Sequence, residues 1–232
     1  MITLGVDTSA VFVSIAIVRD GILLGETFTR SGQGHSTLLL PMIDALLRDC
    51  GLAVADVDRF AVTRGPGSFT GVRIGAATVK GLGAARGRLC AGVSTLAAMA
   101  AGAPEGHPGI LCCAMDARRA QVYAAIFEGH ARLCEDEALP LAELEQRLLT
   151  YNQPVTFLGD GAQLCYDTMQ KRPDWRPAPE SWRYQRGYGA VLAAREEDYL
   201  PAEELRVNYL RPSQAERELM QAPPVAARHP PQ

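Results

Sequence analysis

At one fixed offset the second half of this chain repeats the first. Asp7 meets Asp116, Val13 meets Val122, Ile17 meets Ile126, and the Asp20-Gly21 turn meets Gly129 within a residue. Self-similarity at half the chain length means a duplicated unit of supersecondary structure, and it removes most single-domain alternatives at once. The unit itself is legible. Ile2–Asp7 is a short apolar strand, Val11–Val18 is a second one rich in β-branched residues, Arg19-Asp20-Gly21 supplies a tight turn, and Ile22–Thr29 forms a third strand. Ser36 is placed to cap a helix that runs to Cys50, with Leu39, Ile43, Leu46, Leu47 and Cys50 on one face. Arg59–Thr63 reads as a strand entering Gly65-Pro66-Gly67-Ser68-Phe69-Thr70-Gly71, which opens a helix over Thr70–Ala85, and Leu89–Val93 is the next strand. Ile110–Asp116, Gln121–Phe127, a turn at Glu128-Gly129-His130 and a third strand restart the order. A helix over Leu141–Thr150, a strand at Val155–Leu158 and a helix after Gly159-Asp160-Gly161 continue it. The expected class is α/β, with two β-β-β-α-β-α subdomains over 1–106 and 107–212, divided where Gly and Pro cluster in Gly102–Pro108. Residues 213–232, with Pro223, Pro224, Pro230 and Pro231, are expected to form a disordered tail.

Charge narrows what such a chain can bind. It has 26 acidic and 23 basic side chains, a formal net charge of −3. No global field draws it onto nucleic acid or an anionic membrane, so any such contact needs a local patch. The six cysteines show no C-x-x-C, and Cys112 and Cys113 are adjacent in an apolar run. That pattern fits small buried thiols in a reducing cytoplasm better than disulfides or a zinc ribbon. Met1–Asp7 lacks the basic start of a signal peptide. The longest uncharged stretch, Leu89–Pro104, is shorter than the roughly 20 apolar residues that span a bilayer. The expectation is a cytoplasmic protein with no membrane partner.

Several stretches carry possible chemistry, each with a plainer reading beside it. Asp7-Thr8-Ser9 ends the first strand, where duplicated folds of the actin, sugar-kinase and Hsp70 type hold ATP phosphates in a D-x-G-T-like turn. No glycine follows Thr8, so the close backbone approach to a phosphate is lost, and the carboxylate serves equally to cap its own turn. Gly65–Gly75 is neither a P-loop, having no lysine after its second glycine, nor a dinucleotide fingerprint, its glycines being wrongly spaced. A glycine-rich turn entering a helix can bind an anion, or it can simply be a turn. Gly71, Gly75, Ala76, Gly83 and Ala84 give that helix a smooth face on which another helix could pack. His35 has no nucleophile or metal-ligand partner at a useful spacing and reads as a helix-start or surface histidine. Lys171–Tyr188 interleaves Arg172, Arg176, Arg183 and Arg186 with Trp175, Trp182, Tyr184 and Tyr188. Such interleaving suits RNA, but Asp174, Glu180 and the prolines dilute it towards a solvated loop.

Taken together, G-V-D-T-S at Gly5–Ser9, G-H-S-T-L-L-L-P-M-I-D at Gly34–Asp44, G-P-G-S-F-T-G-V-R-I-G at Gly65–Gly75, M-D-A-R-R at Met115–Arg119 and N-Y-L-R at Asn208–Arg211 resemble the TsaB (YeaZ) family over nearly all of residues 1–212. The resemblance implies a duplicated actin-like (ribonuclease H-like) fold. It also implies a role as the non-catalytic partner of TsaD, and through the assembly of TsaE, in threonylcarbamoylation of the tRNA adenosine next to the anticodon. The catalytic paralogue carries G-V-N-H-x-x-x-H, whose histidines hold a metal. Here the matching run is Gly92–Met99, with Thr95 and Met99 in the histidine positions, and neither side chain is a good ligand for a hard catalytic metal. No catalytic residue, metal or required cofactor is therefore expected, and ATP or ADP would bind weakly at Asp7, Thr8 and Ser9. The rival readings are an ATP-dependent enzyme or peptidase, and an RNA-binding module built on Lys171–Tyr188.

The expected partner surface follows from pattern and resemblance together. Leu39, Ile43 and Leu46 form one apolar stripe on the first helix, and Leu38, Met42 and Ala45 form a second that is surplus for a monomer. Val72, Gly75, Ala76 and Val79 would extend it on the next helix. Family members meet TsaD, or pair with themselves as homodimers, through these helices.

Overall fold

The computed structural model describes residues 1–30 and 34–211; the expected tail at 213–232 lies outside the described residues. Strands β1 (Ile2–Asp7), β2 (Phe12–Arg19) and β3 (Ile22–Arg30) form an antiparallel meander, followed by α1 (His35–Asp49), β4 (Arg59–Thr63), α2 (Phe69–Ala84), β5 (Leu89–Val93) and α3 (Thr95–Ala101). The second half runs β6 (Ile110–Asp116), β7 (Gln121–Glu128), β8 (Ala131–Arg132), β9 (Glu137–Pro140), α4 (Leu141–Leu149), β10 (Val155–Leu158) and α5 (Ala162–Thr168). It ends with β11 (Trp175–Pro177), α6 (Glu180–Arg183), α7 (Gly187–Ala193) and β12 (Tyr199–Pro201).

The duplication is visible in the sheets. The first has the order β12-β5-β4-β1-β2-β3 and the second β11-β10-β6-β7-β8, with β9 also on β7. In each, the first two strands pair antiparallel. β4 and then β5 add in parallel beside β1, β10 and then β11 add in parallel beside β6, and β12 closes the first sheet antiparallel to β5. This is the duplicated actin-like arrangement. The third strand of the second half, expected as one piece, is split into β8 and β9 around 133–136.

Both faces of each sheet are covered, which is why β6 reads as an unbroken apolar run rather than an alternating one. Ile110, Cys112 and Ala114 face α4 and α5 with Val122, Leu144, Leu148 and Phe157. Leu111, Cys113 and Met115 face α3, where they meet Leu96, Met99 and Ala100. In the first lobe Leu4, Val6, Val13, Ile15 and Ile17 pack under α1 and α2 through Leu39, Ile43, Leu47, Ala76 and Val79. The opposite face of that sheet is covered by α7: a Cβ on Gly5 would lie 2.2 Å from the Gly187 carbonyl oxygen.

The last helix of each half therefore covers the sheet of the other half, and α3 and α7 pack on each other between the sheets. They approach so closely that a Cβ on Gly189 would meet Ala98 O at 2.2 Å. The boundary at 106 divides the chain order; the packing is exchanged across it, since β12 and α7 belong to the first sheet. α3 is absent from the sequence reading because it is buried all round, Thr95, Leu96, Ala98, Met99 and Ala100 alike, and a helix apolar on every side has no stripe to detect. Two local expectations are corrected. α1 starts at His35 behind Gly34, with no side-chain cap from Ser36. Lys171–Tyr188 is a packed segment, carrying β11, α6 and the start of α7, with Trp175 and Gln185 buried.

Candidate functional site

Asp7, Thr8 and Ser9 leave the end of β1 as a turn that is completely buried. The Asp7 carboxylate accepts from the Ser9 amide (3.1 Å) and hydroxyl (3.0 Å) and from the Thr63 hydroxyl of β4 (2.6 Å). Burial pushes its pKa up to about 6, the three donors pulling the other way. The plainer reading, a carboxylate capping its own turn, describes what these bonds do. Asp7 and Thr8 are enclosed, and of the three residues only Ser9 borders a neighbouring cleft.

What closes them in is the glycine-rich turn. Thr8 Oγ1 donates to Gly71 O at 2.7 Å, and Ser68 N donates to Ser9 O at 2.7 Å. Ser68 caps α2 by accepting from Gly71 N. A Cβ on Gly71 would stand 2.1 Å from Thr8 O, and one on Gly75 2.5 Å from Thr8 Oγ1. On the smooth face of α2, Gly83 faces Cys90 and Ala202, whereas Gly71 and Gly75 receive the Asp7–Ser9 turn of their own chain. The glycines are required because backbone meets backbone there.

A cleft of about 530 Å³ opens beside this turn between the lobes. Ser9, His35, Ser68, Asp116 and Asn208 are among its walls, one from each of the five motifs quoted above. His35 Nε2 donates to Ala10 O at 2.7 Å, so it is a helix-start residue that ties α1 to the β1–β2 turn. On the far wall Asp116 N donates to Asp160 Oδ1 at 3.3 Å, and burial first of all raises the Asp160 carboxyl above the usual carboxylate range. Asn208–Arg211 strap the two walls together. Asn208 N donates to Arg64 O (2.7 Å) in the first lobe and Arg211 donates to Ala117 O (3.2 Å) in the second. Between these points Tyr209 packs on Phe69 and takes a hydrogen bond from Arg73 of α2. Motifs scattered over the whole chain thus converge on one place.

Known proteins resemble this chain along much of its length. A family model described as "TsaD: tRNA N6-adenosine threonylcarbamoyltransferase" matches residues 29–171. The tRNA threonylcarbamoyladenosine biosynthesis protein TsaB of Bacillus subtilis is 34% identical over 168 residues, 71% of this chain and 73% of that protein. The Escherichia coli TsaB is 38% identical over 127 residues, 54% of each chain. A Pseudomonas aeruginosa crystal structure, described as an uncharacterized protein with similarity to peptidase YeaZ, superposes with a TM-score of 0.77 at 29% identity, covering 90% of this chain and 99% of that one. The chain belongs to the TsaB family. Its role lies in tRNA threonylcarbamoyladenosine biosynthesis.

Thr95 and Met99, which the resemblance sets against the paralogue's histidines, lie on α3. Thr95 is fully buried, its amide donating to Gly65 O at 2.9 Å, and Met99 is buried with its sulfur against Gly159. Met99 is part of the core that joins the lobes. Among the described residues, no group of three or more His, Cys, Asp or Glu is arranged to hold a metal, and no helix is long and apolar enough to cross a membrane.

The residues expected to meet a partner divide sharply. Leu39, Ile43 and Leu46 on α1 and Val72, Gly75, Ala76 and Val79 on α2 are buried inside the lobe, so they support the helices from beneath and touch nothing outside. Leu38 and Met42 are half-buried, Met42 leaning on the core. The exposed residues include Leu40, 52% exposed, Pro41 and Ala45 on α1 and Ala77 and Gly81 on α2, together with charged Asp44, Arg48 and Arg73. Periodicity passes over Leu40 because it takes its phase from the stripe next to it.

Proposed function

We propose that this TsaB-family chain is a non-catalytic scaffold that binds a TsaD homologue, and with it TsaE, for threonylcarbamoylation of the tRNA adenosine next to the anticodon. The observation that carries this reading is the pair Thr95 and Met99, buried on α3 at the two positions that the resemblance sets against the paralogue's metal-binding histidines. The Met99 thioether, packed with Leu96, Leu111 and Leu158, and the buried Thr95 hydroxyl are poor ligands for a hard catalytic metal. The rival reading, an ATP-dependent enzyme or peptidase, is disfavoured by the Asp7–Ser9 turn, whose hydrogen-bonding groups are spent on Thr63, Gly71 and Ser68.

The docking face in this reading is the outer side of α1 and α2, where exposed Leu40, Ala45, Ala77 and Gly81 offer apolar and small surface. Exposed apolar side chains such as Leu40, beside the exposed Asp44 and Arg48, suit an interface with an apolar centre and a charged rim. The same face serves a homodimer when the partner is absent. Co-purification with a tagged TsaD homologue tests it. Leu40→Glu should abolish capture while the melting temperature stays within a degree or so, because an exposed substitution costs little folding stability. Undiminished capture by Leu40→Glu would move the interface elsewhere.

A further inference from the structure

One surface away from α1 and α2 has chemistry that the scaffold reading leaves unused. Phe12 of β2 and Phe28 of β3 stack with ring centroids 4.3 Å apart, and Tyr184, just after α6, lies 4.7 Å from Phe12. All three rings are half-buried. Arginines surround them: Arg186 sits over Phe28 at 4.6 Å and Arg30 is 6.0 Å from Phe12. Arg186 is held by Glu26 at 3.0 Å, whereas Arg30 is exposed and makes no ion pair among the described residues. Folding thus brings the aromatic and basic end of Lys171–Tyr188 onto the edge of the first sheet.

Beside the stack is a pocket of about 290 Å³, bounded by Phe12, Tyr184, Arg30, Arg118, Asp116 and Asp160. Arg118 is 86% exposed and leans on Asp116 at 3.2 Å. Its backbone is left-handed, as are those of Arg119 and Ala120 after it, a run that non-glycine residues seldom adopt. Aromatic rings, acceptor-only carboxylates and guanidinium groups around one small pocket form a mixed set. Aromatic faces stack on a base, carboxylate oxygens accept from amino and ring N–H groups, and arginines pair with phosphate oxygens. A duplex offers only its phosphates and groove edges, because its base faces are stacked. An unpaired strand offers all three.

The geometry points to a binding site for an unpaired RNA nucleotide here, its base against Phe12 and Tyr184, its amino edge towards Asp116 or Asp160, and its flanking phosphates on Arg30 and Arg118. This deepens the reading of the chain as part of a tRNA-modifying assembly and rests on it. None of these residues lies on α1 or α2, so RNA and partner can be held together.

Fluorescence anisotropy of the full-length chain tests the site, with a labelled RNA hairpin carrying an unpaired loop and the same RNA annealed into a full duplex. The hairpin should bind more tightly. Tyr184→Leu should weaken it by about tenfold and leave the salt dependence unchanged. The Arg30→Gln, Arg118→Gln pair should weaken it as well and flatten the salt slope by about 0.7 for each phosphate no longer neutralised. Thermal melting of each variant checks that it is folded. Equal affinity for hairpin and duplex, or folded variants that bind as the parent does, would overturn the site. So would full competition by free ADP at equal concentration, since the strand would then add nothing. The same variants should still capture the TsaD homologue; loss of capture by the parent chain, with RNA binding intact, counts against the scaffold reading and not against this site.

Discussion

Asp7 and Gly71 show how single residues here are spent on structure where a relative's motif would suggest chemistry. The Asp7 carboxyl titrates near 6 in the folded chain because it is buried, against 3.8 when exposed. A raised acid pKa means the folded state holds the proton that the unfolded state has released. Stability should therefore fall as pH rises from about 4 to about 6 and level off above, by at most roughly 3 kcal/mol. Asp7→Asn should remove that part of the decline, read as melting temperature against pH; an unchanged profile would mean Asp7 is ionised throughout. At Gly71 the argument is steric. Gly71→Ala puts a methyl carbon on Thr8 O and should destabilise by about 2–3 kcal/mol, measured by urea denaturation. The motif glycines are legible in the sequence, but their reason is not: nothing local in Gly65–Gly75 says that its neighbour in space is a turn sixty-odd residues earlier.

The helices divide into those whose pattern announces them and those it hides. α1 and α4 carry a clear apolar stripe, and the stripe places them within a residue of their observed ends. α3 and α7 escape sequence reading because they are short, lie between two sheets and consist largely of Gly and Ala, which leave no large apolar stripe. On α1 and α2 the pattern locates the right elements and the wrong faces, since periodicity finds the core stripe first and the core stripe is what Leu39, Ile43, Val72 and Val79 are. This distinction has a measurable consequence. Val72→Arg should cost about 3–5 kcal/mol by burying an unpaired charge, enough to unfold much of the chain, whereas Leu40→Glu should leave it folded. Circular dichroism melting of the two variants separates an inner from an outer position; equal melting temperatures would show that Val72 is not enclosed as described.

For the molecule as a whole, the repeat in the first strands of each half is enough to give the duplicated architecture, because matching residues and turns recur at one fixed offset in the sequence. The exchange of α3 and α7 across the halves leaves no such trace, nor does the strap at Asn208–Arg211, whose anchors at Arg64 and Ala117 are distant in the chain. The thiols follow the same division between core and surface. Cys90, Cys112, Cys113 and Cys165 are buried, with Cys90 pushed up to about 11 by burial. A thiol reagent should leave these four unmodified in the native chain and react with all of them in denaturant. The central claim is that the chain works only through its partner. The direct measurement is reconstituted transfer of the threonylcarbamoyl group to tRNA, with the purified chain alone, with the TsaD homologue and TsaE added, and with folded Leu40→Glu in its place. The account predicts product only in the second reaction. Transfer by the chain alone, or full transfer with Leu40→Glu, would contradict it.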